Sequence, residues 1–289
     1  MLSVLIVSWN TRDLLRACLC SLRACLSGIE HELIVVDCAS GDGSAAMVER
    51  EFPGVRLLAS SENLGFARGN NLAFEQARGQ WIWLLNPDTE VFAGAAQTLI
   101  SFLETHPRAG GVASALVDAR DGTFQRSCRT FPTPAALWCE ASGLARLFPR
   151  SKRFGFYKMG WFSHRTTRQV EQPMASSFLL RRRAIESSGG LFDERFPIFF
   201  NDVDLCWRLG QSDWQVWYEP DAKVLHWGGA STKQRRAEMI RESHRSLGEF
   251  YRLHFRARTS PLVFWATLFL IRLTGIAREW ATQKRPASR

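Results

Sequence analysis

The stretch Trp81-Ile82-Trp83-Leu84-Leu85-Asn86-Pro87-Asp88-Thr89-Glu90 decides the fold. Trp81 to Asn86 is apolar or aromatic until its last residue, the pattern of a strand buried on both faces in a parallel sheet. Pro87 has no N–H to donate and ends the ladder. Asp88 then stands at the carboxyl end of the strand, the edge of an open α/β sheet at which ligands bind. With Asn86 and Glu90 beside it, that carboxylate offers hard oxygen ligands to a divalent cation. The competing reading is a strand-ending turn chosen for its turn chemistry alone. The blocks on either side decide between the two.

Upstream, Ser3 to Trp9 reads as a strand, and Asn10-Thr11 as a cap for a helix with Leu14, Leu15, Cys18, Leu19 and Leu22 at helical spacing. Glu32 to Asp37 is a second buried strand ending in an acid. A turn through Ser44, a helix from Ala45 to Phe52 and a strand from Val55 to Ala59 follow. Glu62-Asn63-Leu64-Gly65-Phe66 leads into a helix through Arg78, and Ala93 to Thr105 forms another after the Trp81 strand. This alternation predicts a mostly parallel, doubly wound, Rossmann-like α/β sheet with right-handed crossovers. Four polar blocks then share one sheet edge: Ser8 to Asn10, Asp37, Asn63 to Asn71, and Asn86 to Glu90. Gly-x-Gly-x-x-Gly is absent after the first strand, which argues against a dinucleotide site, and there is no Walker loop.

Composition narrows the class. With 46% apolar and 22% charged residues among 289, the chain is globular rather than disordered. Seven cysteines without CxxC pairs make neither a disulfide framework nor a zinc site. Cys18, Cys20 and Cys25 read as buried thiols, so a reducing, cytosolic setting is expected. The N-terminus reads as the first strand and not as a signal peptide. The net charge of +9 is uneven: residues 1–232 hold 24 basic and 24 acidic side chains, residues 233–289 hold 13 and 4. A basic tail suits an anionic membrane or a nucleic acid.

The blocks Ser3-Val4-Leu5-Ile6-Val7-Ser8-Trp9-Asn10, Val35 to Ser44, Glu62 to Asn71 and Leu84 to Asp88 together resemble the family 2 glycosyltransferases, above all their bacterial rhamnosyltransferase-like branch. The likeness covers roughly residues 1–232. It implies a glycosyltransferase-A fold, a nucleotide-diphosphate sugar donor (dTDP-rhamnose favoured) and inversion at the anomeric carbon. It also implies a divalent metal, Mn2+ or Mg2+, and a lipid-linked or growing glycan acceptor in cell-envelope synthesis. Ser8, Asn10, Asp37, Asn63, Arg68, Asn70 and Asn86 are the donor-binding candidates. Two departures stand out: the family's Asp-x-Asp motif is here Asn86-Pro87-Asp88, with its second carboxylate alone, and Cys38 replaces the usual Asn.

Downstream, Gly110 to Val117 reads as a strand. Residues 119–172 are irregular and basic-aromatic, either part of an acceptor groove or, as favoured here, a surface insertion. Met174 to Leu180, Trp214 to Glu219 and Lys223 to His226 read as three strands. Between them, Asn201-Asp202-Val203-Asp204 opens a helix. Acids there complement the helix dipole; the resemblance instead implies that Asp202 is the catalytic base, with Asn201 in place of a Glu. His226 reads as a metal ligand or as a structural histidine, and Asp88 as the metal carboxylate.

Residues 1–232 are therefore expected to form the catalytic domain, with a nucleotide-sugar half of about 1–118 and an acceptor half of about 119–232. Residues 233–289 form a basic helical tail. In it Ser260-Pro261 starts a helix whose ten-residue apolar run, Leu262 to Ile271, is broken by Arg272 and resumes from Leu273 to Ala277. Arg252, Arg256 and Arg258 precede it; Arg278, Lys284, Arg285 and Arg289 follow. The run is short for a bilayer span, which needs about 20 residues. A helix lying in the interface of an anionic membrane through residues 252–289, on the cytoplasmic face, is the expectation. A core helix is the competitor. A catalytically inactive nucleotide-sugar-binding subunit would also fit the half-missing metal motif. A nucleic-acid-binding protein is disfavoured by the neutral body, and no nucleic-acid partner is expected.

Overall fold

The computed structural model describes residues 1–228 and 236–283, with side chains for 1–228 and 238–282. The segment Gly229 to Ser231 and the basic residues Lys284, Arg285 and Arg289 lie outside the described residues.

The first half runs β1 (Leu2–Ser8), α1 (Arg12–Cys25), β2 (His31–Cys38), α2 (Ser44–Glu51), β3 (Val55–Ser60), α3 (Gly65–Gln76), β4 (Trp81–Leu85), β5 (Thr89–Val91), α4 (Ala95–Thr105) and β6 (Ala109–Asp118). The second half adds β7 (Cys128–Arg129), α5 (Pro134–Ala141), α6 (Leu144–Leu147), β8 (Arg168–Val170), β9 (Gln172–Pro173), β10 (Ser177–Arg181), α7 (Arg182–Ser187), α8 (Asn201–Gln211) and β11 (Gln215–His226). Two long helices, α9 (Arg236–Phe255) and α10 (Pro261–Gln283), complete it.

Nine strands form one mixed sheet in the order β3-β2-β1-β4-β10-β6-β11-β5, with β8 alongside β11. β3, β2, β1 and β4 are mutually parallel. β10 inserts antiparallel between β4 and β6, and β11 runs parallel to β6. Both faces are covered, which is why the strands read as unbroken apolar runs. Val4, Ile6, Trp83 and Leu85 pack on one side with Leu15, Leu19 and Leu99. Leu5, Val7, Ile82 and Leu84 pack on the other with Ala67, Ile185 and Leu205. α3 sits close against β1 because residue 69 is glycine: a Cβ there would meet the Val7 methyl at 2.8 Å.

Several sequence expectations are corrected. The strands read at 214–219 and 223–226 are one strand, β11, whose pairing with β6 slips between Glu219 and Lys223. A slip of this kind breaks the sequence pattern while the chain continues along the same neighbour. Thr11 is the N-cap of α1, but its side chain makes no cap bond; Asp42 Oδ2 accepts from Arg12 N–H at 2.8 Å instead, and Asn10 bonds to the next loop. Cys20 is exposed on α1, whereas Cys18 and Cys25 are buried. The short β5, paired with the end of β11, carries too few residues to show a period.

The helices α9 and α10 pack on the body that precedes them. Phe250, Tyr251 and Phe255 of α9 and Phe264, Leu268 and Ile271 of α10 share a core with Phe196 and Val203. Asp204 of α8, fully buried, is bonded by Arg208 Nε at 2.7 Å and by His254 Nε2 of α9 at 2.8 Å. Ser260 Oγ accepts from Val263 N–H and caps α10.

Candidate active site

The ends of β1, β2 and β4 meet the start of α8 around a cavity of about 470 Å³. Trp9, Asn63, Asn86, Asp88, Asp202 and His226 are all on its wall. Residues more than 100 positions apart in sequence therefore converge at the sheet edge on which the polar blocks were read.

The two loops after β1 and β2 lock each other. Asn10, in the left-handed region at φ 51°, accepts from Gly41 N–H at 2.8 Å and donates its own N–H to Ser40 Oγ. Ser8 is buried and bonds Thr11 Oγ1 at 3.0 Å, so it shapes the turn and does not line the cavity. Asp37 sits opposite Ser8 in the β1–β2 register. One of its oxygens accepts from Ser40 N–H at 3.0 Å; the other, Oδ1, is buried with no hydrogen-bond partner. A buried carboxylate oxygen without a partner costs free energy; Asp37, like Asn10, is not on the cavity wall.

Asn63 closes a local turn by accepting from Gly65 N–H. Arg68 and Asn70 fall elsewhere. Arg68 is exposed beside Glu62 and Glu194, and Asn70 is buried in α3 with its amide on Phe66 O. Neither is on the cavity wall.

At the end of β4, Asn86 is pinned to Ser176: its N–H donates to Ser176 O at 3.0 Å and its side-chain amide to Ser176 Oγ at 3.2 Å. Asp88 is 6% exposed, and its carbonyl accepts from Trp227 N–H. His226 Nε2 lies 3.5 Å from Asp88 Oδ1. The other ring nitrogen, Nδ1, is 2.7 Å from Gln125 Oε1 and so carries a proton. Gln125 in turn donates to Asp118 Oδ2 and His226 O. A neutral imidazole would then turn its Nε2 lone pair toward a carboxylate oxygen. A cation beside this facing pair, a proton on the ring or a metal ion, would suit both groups. The donor types, one imidazole and one carboxylate with a buttressing amide, fit a divalent cation. Among the described residues no cluster of three or more His, Cys, Asp or Glu could hold a metal ion, so the Asp88–His226 pair is by itself short of a full ligand set. Gln125 escaped the sequence reading because it lies in the irregular 119–172 segment, where no periodicity marks it.

Asp202 is the second residue of α8. The residue before the helix, Phe200, is held at φ +68°, a left-handed conformation that a large side chain rarely adopts. Such strain, of order 1–3 kcal/mol, clusters at functional sites. Asp202 Oδ1 accepts from Val203 N–H at 2.9 Å and Oδ2 from Ala175 N–H at 3.3 Å. Burial pushes its carboxyl above the usual aspartate range, partly offset by these N–H groups and by Arg129. Asn201 is buried and caps locally, accepting from Asp202 N–H. The buried thiols are not competing nucleophiles: desolvation pushes Cys18 and Cys128 up to about 12 and Cys38 to about 11.

Comparison with known proteins identifies the family and the fold. Residues 3–184 match Glycosyl transferase family 2. The N-acetylglucosaminyl-diphospho-decaprenol L-rhamnosyltransferase of Mycobacterium tuberculosis is 29% identical over 239 residues, covering 74% of this chain and 72% of that protein. The mannosyltransferase PcManGT from Pyrobaculum calidifontis, solved with GDP-Man and Mn2+, superposes with a TM-score of 0.58 at 17% identity, covering all of this chain and 76% of that one. S. aureus TarS 1-349 superposes with a TM-score of 0.52 at 13% identity over 94% of this chain and 70% of its own. The architecture is thus of glycosyltransferase-A type, and the chain belongs to glycosyl transferase family 2.

Proposed function

We propose that this glycosyltransferase moves a sugar, L-rhamnose favoured, from a nucleoside-diphosphate donor, dTDP favoured, to a lipid-linked or growing glycan acceptor, with inversion. The observation that carries the reading is that Asp202 and the Asp88–His226 pair line one cavity. Asp202 would take the proton of the acceptor hydroxyl as that oxygen attacks the anomeric carbon from the face opposite the leaving group. Its raised proton affinity suits a general base, and the Ala175 and Val203 N–H groups hold the carboxylate in place. A single displacement assisted by one base inverts the centre, by analogy with inverting glycoside chemistry. Asp88 and His226, with Asn86 beside them, would hold Mn2+ or Mg2+, which when bound would neutralise charge on the departing diphosphate. Asp37 Oδ1 would take a hydroxyl or N–H of the nucleoside. The lipid-linked acceptor is supported by the mycobacterial relative, whose name specifies one.

The same reading puts the enzyme on the cytoplasmic face of a membrane. Leu262, Trp265, Phe269, Leu273, Ile276 and Trp280 recur every three or four residues along one side of α10, and all are exposed, Leu262 by 82%. Phe264, Leu268 and Ile271 on the opposite side are packed. Pro261–Thr282 is long and apolar enough to cross a bilayer. With one side already seated on α9 and α5, an in-plane position is the reading that uses both faces. Trp138 of α5, half-exposed, donates to Thr267 Oγ1 and extends the apolar margin.

The test is a panel of nucleotide sugars with Mn2+ or Mg2+, before and after exhaustive chelation. Metal-dependent turnover of dTDP-rhamnose is expected. Binding without turnover of any donor would favour the inactive-subunit reading, and turnover that survives chelation would refute the metal role.

A further inference from the structure

We propose that the groove between α9 and α10 receives the diphosphate of the lipid-linked acceptor; this rests on the transferase reading above. The groove encloses about 300 Å³. α9 contributes Arg241, His244, Arg245 and Arg252 to it, and α10 contributes Arg272 and Glu279. Residue 275 is glycine at the point of closest approach, where a Cβ would stand 3.2 Å from the His244 ring. His244 Nδ1 is 3.0 Å from Ile240 O, and a carbonyl only accepts, so Nδ1 carries the proton and Nε2 is the ring atom left for a ligand. Arg272 is exposed and forms no ion pair among the described residues.

The other three arginines are paired, Arg241 with Glu279, Arg245 with Glu242 and Arg252 with Glu249. Each of these arginines is about half exposed, at 51–54%. Pairs of this kind hold little free energy. A diphosphate offers guanidinium groups two-pronged, charge-assisted bonds and competes well for them.

Position argues for the ligand as much as charge does. Glu238 and Met239, at the start of α9, lie on the wall of the catalytic cavity. Arg241, Arg245, Gly248 and Arg252 follow Glu238 on the same helix face at steps of three and four. At 1.5 Å per residue, Arg241 is about 4.5 Å and Arg245 about 10 Å along the axis from Glu238. That is the scale of a sugar ring followed by its phosphates. On α10, Arg272 borders the exposed apolar stripe on one side and the packed Ile271 on the other. A sugar in the cavity, phosphates in the groove and a hydrocarbon chain beside the stripe make up one continuous amphiphile.

The experiment titrates the full chain calorimetrically with farnesyl diphosphate, with inorganic pyrophosphate and phosphatidylglycerol vesicles as separate arms. The combined variant R245Q and R272Q should weaken farnesyl diphosphate binding about tenfold or more, through the loss of charged hydrogen bonds. Nucleoside-diphosphate binding should stay as in the wild type, with at most a small fall in melting temperature from the lost Arg245 bonds to Glu242 and Arg195 O. Arg272→Glu alone, at an exposed and unpaired position, should weaken the same ligand and keeps the test open if the double variant folds poorly. Unchanged farnesyl diphosphate affinity in both variants overturns the proposal. So does an equal loss toward the vesicles, which would mark the groove as a headgroup surface; a parallel loss toward pyrophosphate is expected, because the diphosphate is the group the arginines hold. Donor hydrolysis by the wild type is measured alongside. If it is present while the groove variants bind normally, the groove assignment alone falls. If every donor is left intact, the transferase reading falls and takes this assignment with it.

Discussion

Asp202→Asn separates catalysis from stability in a way the geometry makes quantitative. The carboxylate accepts one N–H on each oxygen, from Val203 at 2.9 Å and Ala175 at 3.3 Å. An asparagine keeps one acceptor and turns an NH2 toward the other donor. The longer bond, to Ala175, is the one given up, at about 1 kcal/mol. Against this, burial holds the Asp202 carboxyl above its ordinary pKa, so its charged form costs folded stability at neutral pH, and the neutral amide removes that cost. The two effects oppose each other, and stability should change by no more than about 1 kcal/mol. Transfer should fall by about 10²–10⁴-fold, the contribution of a positioned base, or about 3–5 kcal/mol of barrier. The sign of the pH dependence follows from the raised pKa. The protonated group favours the folded state, and that contribution is present at low pH and lost as pH rises through the folded pKa. Activity runs the other way, because the base works only when deprotonated. The acid limb of kcat/KM should therefore fall above the ordinary aspartate value near 4. Urea unfolding and a transfer assay across pH check both halves. Transfer within about threefold of wild type, or an acid limb in or below the ordinary aspartate range, would refute the assignment.

Two further outcomes are expected. His254→Leu leaves Asp204 Oδ1 buried without its partner, which should cost about 1–3 kcal/mol in urea unfolding; a loss under about 0.5 kcal/mol, the size of an ordinary surface change, would show that α9 is not tied to α8 through this bond. Trp265→Ser with Phe269→Ser removes exposed apolar area from α10 and, of its packed side, only the edge contact of Trp265 with Phe264, so sedimentation with phosphatidylglycerol vesicles should drop while the melting temperature falls little. Undiminished sedimentation would rule out the stripe as the membrane contact.

Much of the first half of the fold was legible because local pattern and tertiary fate coincide there. The apolar runs at 4–7, 33–36 and 81–85 lie in strands covered on both sheet faces, and each ends at the edge where polar residues follow. Asn63, Asn86, Asp88, Asp202 and His226 were readable as candidates, and all five line the cavity. Arg68 and Asn70 belong to the same motif stretch, but helical geometry turns them away from the cavity, and a linear motif does not encode that direction. Tertiary structure alone decided the rest. Gln125 reaches His226 across 101 positions, from a segment with no period to read. β11 passes through a register slip that looks like a strand break in sequence. His254 of the supposed tail bonds Asp204 of α8, because a buried carboxylate must find partners wherever the chain brings them. Hydrophobic period is a local property and can be read along the chain. The pairing of buried polar groups is a property of the folded neighbourhood, and it exists only once distant segments have met.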